Sequence, residues 1–185
     1  MPLSKDQYDF SYFEYEESKR QGLNPEPIGY SWYEEKDQRN KELADKLIER
    51  FDLKDGKVLE LGCAKGYLIK ALRKKGVDCY GLDFSDYAVD NADSEAKPYI
   101  KKADVREELK EIDNNEYSLI FSKDFIGCLS NKEAVEVTKE AIRISDKVCF
   151  ISSNYGDSKY YNMKNIKDWE KLLPSEVFVL RKEDV

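Results

Sequence analysis

Short runs of apolar residues alternate with amphipathic segments along most of this chain. The apolar runs predict β-strands at 57–61, 77–83, 99–103, 117–122, 147–152 and 176–180. Between them, apolar residues recur at spacings of three and four, which predicts helices at 35–51, 68–75, 131–144 and 166–173. A serine cap at Ser85 predicts a shorter helix at 85–92, and a further short helix is predicted at 105–111. This alternation predicts an α/β fold with a doubly wound, mainly parallel sheet in the order 3-2-1-4-5 plus one further strand, in three α/β/α layers.

Residues 1–34 depart from this pattern, because they are rich in tyrosine and acidic residues and are interrupted by Pro25 and Pro27. Proline prevents one continuous helix through this region. We therefore expect an aromatic N-terminal arm at 1–34, followed by one domain at 35–185. The arm has two interpretations: aromatic side chains that pack on the domain surface, or a lid that covers a bound ligand.

The first predicted strand runs into a glycine turn at Gly62 and Gly66, and a helix follows the turn. In α/β proteins this arrangement forms ligand sites, since free N–H groups of the helix start lie at the carboxyl end of the strand. A dinucleotide fingerprint would require glycine at Ala64 and Tyr67. The carboxylate of Glu60 would repel a pyrophosphate and would suit a ligand with an ammonium group.

The pattern Glu60-x-Gly62-x-Ala64-x-Gly66 resembles motif I of the class I S-adenosylmethionine-dependent methyltransferases, (D/E)-x-G-x-G-x-G. The one departure is Ala64, which restricts the turn to negative φ more than glycine would. The resemblance covers roughly residues 28–180. It implies a Rossmann-like fold and S-adenosylmethionine as the cofactor, with S-adenosylhomocysteine as its product.

Asp83 ends the second predicted strand, about 20 residues beyond the glycine turn. A carboxylate at this position can accept hydrogen bonds from both ribose hydroxyls of a nucleoside. The alternative is that Asp83 helps to cap the helix that starts near Ser85. Phe84 follows with a ring that could pack on the adenine.

The resemblance also implies contacts farther along the chain. It implies that the Asp104 carboxylate accepts from the adenine amino group and that the N–H of Val105 meets a ring nitrogen. Alternatively, Asp104 caps the helix at 105–111. In the family, the edge of strand four, which here ends at Ser122, runs beneath the methionine part of the cofactor. The predicted cofactor-binding residues are Tyr30, Glu60, Gly62, Cys63, Ala64, Gly66, Tyr67, Asp83, Phe84, Asp104, Val105 and Ser122.

The chain contains no histidine, which excludes a histidine general base or metal ligand within it. No metal site is predicted. Many relatives carry a Glu-His pair where this chain has 123–129, and that pair is absent. Asp124 is the candidate catalytic residue, as a base or as a group that orients the substrate, and the alternative is a solvated loop acid or cap. The tyrosine-rich segment 153–161 is either a wall of the acceptor site or an ordinary surface loop.

Composition narrows the possible partners and compartment. The formal net charge of the 185 residues is −7 and the basic residues are scattered, which disfavours nucleic acid and anionic membranes as partners. We find no apolar run of membrane-spanning length and no signal-peptide pattern. The four cysteines form no CxxC pair, which indicates reduced thiols in a cytoplasmic protein.

The sequence thus predicts methyl transfer from S-adenosylmethionine to the oxygen or nitrogen of a small-molecule acceptor, such as a sugar or another metabolite. The alternative is a non-catalytic module that binds S-adenosylmethionine and acts through a protein partner. The absent Glu-His pair favours this alternative somewhat. Either a monomer or a homodimer is compatible with the sequence.

Overall fold

The architecture is one six-stranded sheet with helices on both faces. A computed structural model describes residues 8–22, 34–152, 164–181 and 184–185. The sheet has the order β3-β2-β1-β4-β5-β6, and every neighbouring pair is parallel. This confirms the predicted order, with β6 as the further strand. The strands are β1 (Lys57–Leu61), β2 (Asp78–Asp83), β3 (Ile100–Lys102), β4 (Leu119–Lys123), β5 (Val148–Ser152) and β6 (Val177–Arg181).

The helices in the described ranges are α1 (Phe10–Phe13), α2 (Tyr15–Arg20), α3 (Glu34–Phe51), α4 (Tyr67–Lys74), α5 (Asp86–Asp90), α6 (Val105–Glu108), α7 (Asn131–Ile144) and α8 (Ile166–Leu172). The predicted helix at 105–111 is α6 followed by a 3-10 turn at Leu109–Glu111. The predicted helix at 85–92 has the expected serine cap at Ser85, but it is shorter because α5 ends at Asp90. None of the helices in these ranges carries an apolar stretch of membrane-spanning length.

The central strands β1 and β4 are mostly apolar because both of their faces are buried, and their polar residues lie near the strand ends. Successive residues of β1 contribute to two separate cores: Val58 packs beneath α3 and α4, whereas Leu59 packs beneath α6, α7 and α8. The same alternation divides β4, where Phe121 belongs to the first core and Ile120 to the second. Side chains of a strand alternate between its two faces. The core to which a strand residue belongs therefore identifies the helices that it faces.

Helix α3 runs across the sheet from its carboxyl edge to its amino edge. At the end of α3, the carbonyl oxygen of Phe51 accepts a 2.8 Å hydrogen bond from Lys147, the residue just before β5. Near the start of α3, Asn40 accepts a 3.2 Å hydrogen bond from Lys123, the last residue of β4. The first half of α3 therefore lies at the carboxyl edge, where open α/β sheets bind their ligands.

The described part of the N-terminal arm packs at the same edge. The ring of Phe13 stacks on that of Tyr87 at 5.9 Å, and Tyr8 contacts Phe84 edge to face at 5.2 Å. The hydroxyl of Ser85 donates a 2.6 Å hydrogen bond to the carbonyl oxygen of Tyr8. These contacts join α1 and the residues just before it to α5 and to the loop between β2 and α5. The division into an arm at 1–34 and a domain at 35–185 stays a prediction.

Helix α4 lies between two glycines with left-handed backbones, Gly66 (φ 75°) and Gly76 (φ 87°). A Cβ at Gly66 would lie 2.5 Å from Cδ1 of Ile100 and 2.8 Å from Cβ of Ala96, whereas one at Gly76 would meet nothing within 4 Å. Both glycines therefore need a left-handed backbone, but only at Gly66 is there no room for a Cβ atom.

We expect Gly76→Ala to lower the free energy of unfolding by about 1–2 kcal/mol, the cost of a left-handed alanine. Gly66→Ala should lower it by a further ~1–3 kcal/mol, because the new methyl group overpacks its neighbours. Urea denaturation of both variants measures the difference, and equal losses would show that the Gly66 contacts relax without cost.

Candidate functional site

The turn after β1 follows a left-handed path at each of its three small residues. The φ angles of Gly62, Ala64 and Gly66 are 68°, 50° and 75°. Alanine disfavours positive φ more than glycine does, yet Ala64 adopts it. Its N–H donates a 2.7 Å hydrogen bond to Oδ2 of Asp83, which holds the backbone in this conformation. A left-handed alanine costs roughly 1–2 kcal/mol, so this contact offsets local strain.

Packing within the chain also requires glycine in this turn. A Cβ at Gly62 would lie 2.5 Å from Cδ2 of Phe125. Together with the contacts of Gly66 described above, this means that both glycines admit a close approach of other protein atoms. The packing of the chain itself therefore explains the two glycines, and they do not by themselves indicate that a ligand approaches the turn.

Asp83 lies at the carboxyl end of β2 and is 7% exposed. Besides the Ala64 N–H, its carboxylate accepts a 2.9 Å hydrogen bond from the N–H of Ser85 at Oδ1. Burial raises the pKa of the Asp83 carboxyl, and hydrogen bonds from backbone N–H groups oppose the shift. The helix cap itself is Ser85, whose Oγ accepts from the N–H of Ala88. Each carboxylate oxygen can accept a further hydrogen bond, so the ribose role stays open to Asp83.

Glu60 is a buried carboxyl group near the carboxyl end of β1, with 4% of its surface exposed. Among the described residues, its Oε2 has no hydrogen-bond partner. Burial raises the pKa of Glu60 to about 8, the charge of Lys123 opposes this shift, and the charge of Asp83 adds to it. A cation brought to Oε2 would favour the ionised form. The site is therefore suited to the ammonium group that the sequence predicted here.

Asp104 is engaged with a neighbouring arginine. Its Oδ1 accepts from the backbone N–H of Arg106 at 3.0 Å, which caps α6, and both oxygens accept from the Arg106 guanidinium. The hydrogen bond from the Arg106 side chain lowers the pKa of Asp104. Arg106 also binds Glu133 of α7. Asp104 therefore caps α6, as the alternative interpretation of this residue expected. Adenine binding by Asp104 and Val105 stays a prediction.

The other predicted cofactor residues lie in different surroundings. Cys63 lies inside the turn and Tyr67 directly follows it, and both are buried. Burial raises the pKa of Tyr67 to about 12. The ring of Phe84 packs on the arm, as described above. Ser122 is fully buried, and among the described residues its Oγ has no hydrogen-bond partner. Tyr30 lies outside the described residues.

Asp124 follows β4 at the carboxyl edge, with a left-handed backbone at φ 59°. Its N–H donates a 2.9 Å hydrogen bond to the carbonyl oxygen of Ile151 in β5. Aspartate tolerates this conformation better than most residues, and such positions are frequent at functional sites. Its catalytic role stays a prediction. The segment 153–161 lies outside the described residues.

Sequence reasoning missed the role of Lys65, which is 5% exposed although it is a lysine. Its ammonium group forms an ion pair with Glu14 of the arm and lies 5.7 Å from the ring centre of Tyr87. The same Glu14 oxygen accepts a 3.4 Å hydrogen bond from the Tyr87 hydroxyl. A lysine inside the glycine turn was visible in the sequence, but nothing there indicated its distant partner.

Asn40 is the other residue that was missed. It is 2% exposed, and among the described residues its Nδ2 has no hydrogen-bond partner. The available signal was its position on α3, since Asn40 continues the apolar series of Leu43, Ala44 and Leu47 at helical spacing. A polar residue in the first turns of an apolar helix face is a candidate for a buried polar contact.

Residues 33–153 match a protein-family model described as a methyltransferase domain. Over 47 residues, 24% of this chain, the sequence is 36% identical to the ribosomal RNA small subunit methyltransferase A of Mesomycoplasma hyopneumoniae, and the match spans 18% of that protein. The chain thus spans a small part of this curated relative.

Solved structures share the fold. A protein from Methanococcus maripaludis described as an S-adenosyl-L-methionine-dependent methyltransferase has a TM-score of 0.54 at 20% identity, over 73% of this chain and 61% of that one. The magnesium protoporphyrin IX methyltransferase of Synechocystis PCC 6803, solved with bound S-adenosylmethionine, has a TM-score of 0.59 at 17% identity, over 92% of this chain and 84% of that one. At these identities the likeness shows the fold.

The raised pKa of Glu60 predicts a pH-dependent stability. Between the ordinary value of 4.5 and about 8, the folded ligand-free protein holds a proton on Glu60 that the unfolded chain releases. This group therefore makes stability fall as pH rises through that window. Glu60→Gln removes the effect, so the melting temperature of the variant minus that of the wild type should increase from pH 5 to pH 8.5.

Glu170→Gln, on the exposed side of α8, is the matched control and should show a constant difference. Thermal unfolding without ligand measures both variants. A Glu60→Gln difference that stays constant with pH would contradict a raised pKa.

Proposed function

Because this chain belongs to the methyltransferase domain family and its cofactor is S-adenosylmethionine, we propose that it transfers the methyl group to the oxygen or nitrogen of a small-molecule acceptor. The observation that carries the proposal is a pair of buried carboxyl groups, Glu60 and Asp83, on neighbouring strands beside the left-handed turn. Glu60 would bind the ammonium of the methionine part, and Asp83 would bind the ribose hydroxyls.

The chain's own contribution to catalysis would be mainly positioning. When bound, the cofactor supplies a methyl group on a sulfonium, which is already a reactive donor. The protein must then hold the acceptor in line with that methyl group. Asp124, at the carboxyl edge beside Lys123, would take the proton of an acceptor that has to lose one. A tyrosine such as Tyr33 or Tyr155, both outside the described residues, or water could also accept it, and a neutral amine would need no strong base.

We propose that the arm acts as a lid over the cofactor. The ion pair between Glu14 and Lys65 ties the arm directly to the turn, and Phe13 and Tyr8 add aromatic contacts on either side. A lid in this position would exclude water from the adenosine side of the site, which strengthens the electrostatic contacts inside it. The acceptor would then bind between the arm and the segment 153–161.

A small-molecule acceptor agrees with the charge of the chain and with one fold relative. The net charge of −7 opposes the electrostatic attraction on which nucleic-acid binding depends. The Synechocystis relative, which aligns over most of both chains, acts on magnesium protoporphyrin IX. The identity to the ribosomal RNA enzyme, by contrast, is confined to 47 residues.

The direct test is transfer of label from methyl-labelled S-adenosylmethionine. The wild-type chain should label members of a panel of small hydroxylated and amino compounds, and Asp83→Asn should label them more slowly because it weakens cofactor binding. Labelling of RNA in place of small molecules would contradict the proposed acceptor. Cofactor binding without transfer to any compound, RNA or protein would favour the alternative of a non-catalytic module.

The lid is tested by removing the charge of Glu14. Glu14→Gln leaves the buried ammonium of Lys65 without its ionic partner, so the arm should dock less tightly. We expect S-adenosylhomocysteine affinity to fall by about tenfold, the effect of roughly 1.4 kcal/mol. Trypsin cleavage after Arg20 should become faster. Calorimetry and timed proteolysis provide the two measurements.

The matched control is Glu17→Gln. Glu17 lies on the same arm but pairs with exposed Arg20. It should leave S-adenosylhomocysteine affinity unchanged, since an exposed pair contributes little. Equal affinities of Glu14→Gln and the wild type would show that the arm only packs on the surface.

A further inference from the structure

The buried amide of Asn40 lacks a partner on one side. Its Oδ1 accepts a 3.2 Å hydrogen bond from Nζ of Lys123, and among the described residues its Nδ2 donates to nothing. An ammonium group can only donate, so the amide oxygen must face Lys123 and the NH2 group must face away from it. A buried donor without an acceptor is unusual in folded proteins and calls for an explanation such as a ligand.

Asn40 and Lys123 lie on the same side of the sheet as Glu60. Val58 and Phe121 both belong to the core beneath α3, and these two residues precede Glu60 and Lys123 by two positions on β1 and β4. Since side chains two apart in a strand share a face, Glu60 and Lys123 also point towards α3. The charge of Lys123 acts on the Glu60 carboxyl. An amide donor, an ammonium and a carboxyl group thus converge at the carboxyl edge.

This set of groups has the complementary charges of an α-amino acid. We propose that Asn40 and Lys123 bind the carboxylate of the methionine part of the cofactor, opposite Glu60, which binds its ammonium. The inference rests on the proposed function, since it deepens the description of the same site. It supplies the missing acceptor for the Asn40 NH2 group and the missing donor for Glu60 Oε2.

A purely structural role does not account for the amide. Holding Lys123 requires only the oxygen of Asn40, and a structural asparagine would be expected to satisfy its NH2 group within the protein. A carboxylate of the acceptor has the same chemistry as that of the cofactor. The nearby Glu60 favours the cofactor, because an amino acid brings its ammonium and carboxylate together.

The test compares two ligands that differ in the amino acid part. S-adenosylhomocysteine carries the carboxylate and ammonium, whereas 5′-methylthioadenosine lacks both. Asn40→Asp keeps the size of the side chain and an oxygen for Lys123, but replaces the donor by a negative charge. We expect it to weaken S-adenosylhomocysteine binding by about 10- to 100-fold, as for the loss of a hydrogen bond to a charged group. Binding of 5′-methylthioadenosine should stay within about twofold of the wild type.

Lys123→Met should show the same selective loss. Gln38→Leu, on the exposed side of α3, is the control and should change neither affinity. Titration calorimetry measures the affinities, and thermal unfolding verifies that each variant is folded.

Several results would overturn the inference. Unchanged S-adenosylhomocysteine affinity in folded Asn40→Asp would do so, and a change in the acceptor KM alone would assign the pair to the acceptor instead. Equal losses for both ligands would show a structural role. A wild-type chain that binds 5′-methylthioadenosine but not S-adenosylhomocysteine would overturn the amino acid site alone, whereas binding of neither would overturn the proposed function as well.

Discussion

The carboxyl edge of the sheet depends on the hydrogen bonds that the Asp83 carboxylate accepts from the backbone. Through Ala64 it holds the turn after β1 in a left-handed path, and through Ser85 it holds the start of α5. One side chain thereby connects β2 to the turn of its neighbour β1. Without it, Ala64 would relax towards negative φ and shift Gly66, from which α4 begins. The carboxylate is part of the framework as well as a candidate ribose contact.

Incomplete polar contacts mark the same edge of the sheet. Glu60 and Asn40 are almost fully buried, and each has one atom without a hydrogen-bond partner among the described residues. Such atoms destabilise a ligand-free protein, and they are typical of sites whose geometry is fixed before the ligand arrives. The rest of the fold supplies the stability that this arrangement costs, through two apolar cores on the two faces of the sheet. The atoms that would strengthen the proposed ligand binding at this edge are therefore the same ones that lower the stability of the free chain.

The arm packs against the same edge of the sheet. Glu14 brings a negative charge to Lys65 inside the turn, and the aromatic rings around it limit access of water. Ion pairs strengthen as water is excluded, so docking of the arm and burial of the pair reinforce each other. The ion pair between Glu14 and Lys65 thus couples the position of the arm to that of the turn, although the two segments lie far apart in the sequence.

The sequence by itself determined the strand order, the glycine turn and the position of Asp83 at a strand end. These features follow from local patterns: apolar periodicity identifies each element, and the alternation of strands and helices permits few topologies. The existence of β6 was also predictable. The ends of the helices at 85–92 and 105–111 were harder to predict. Caps and 3-10 turns decide those ends, and they depend on single side chains such as Ser85.

Only the tertiary structure decided which polar groups meet. Lys65 and Glu14 are 51 residues apart, and Asn40 and Lys123 are 83 apart. Neither pair follows a period that could be read along the chain. The resemblance assigned Asp104 to adenine binding. In the structure, the start of α6 places Arg106 where it donates hydrogen bonds to the Asp104 carboxylate. Hydrogen bonds act over a few ångströms, so such partners become visible only when the folded backbone brings them together.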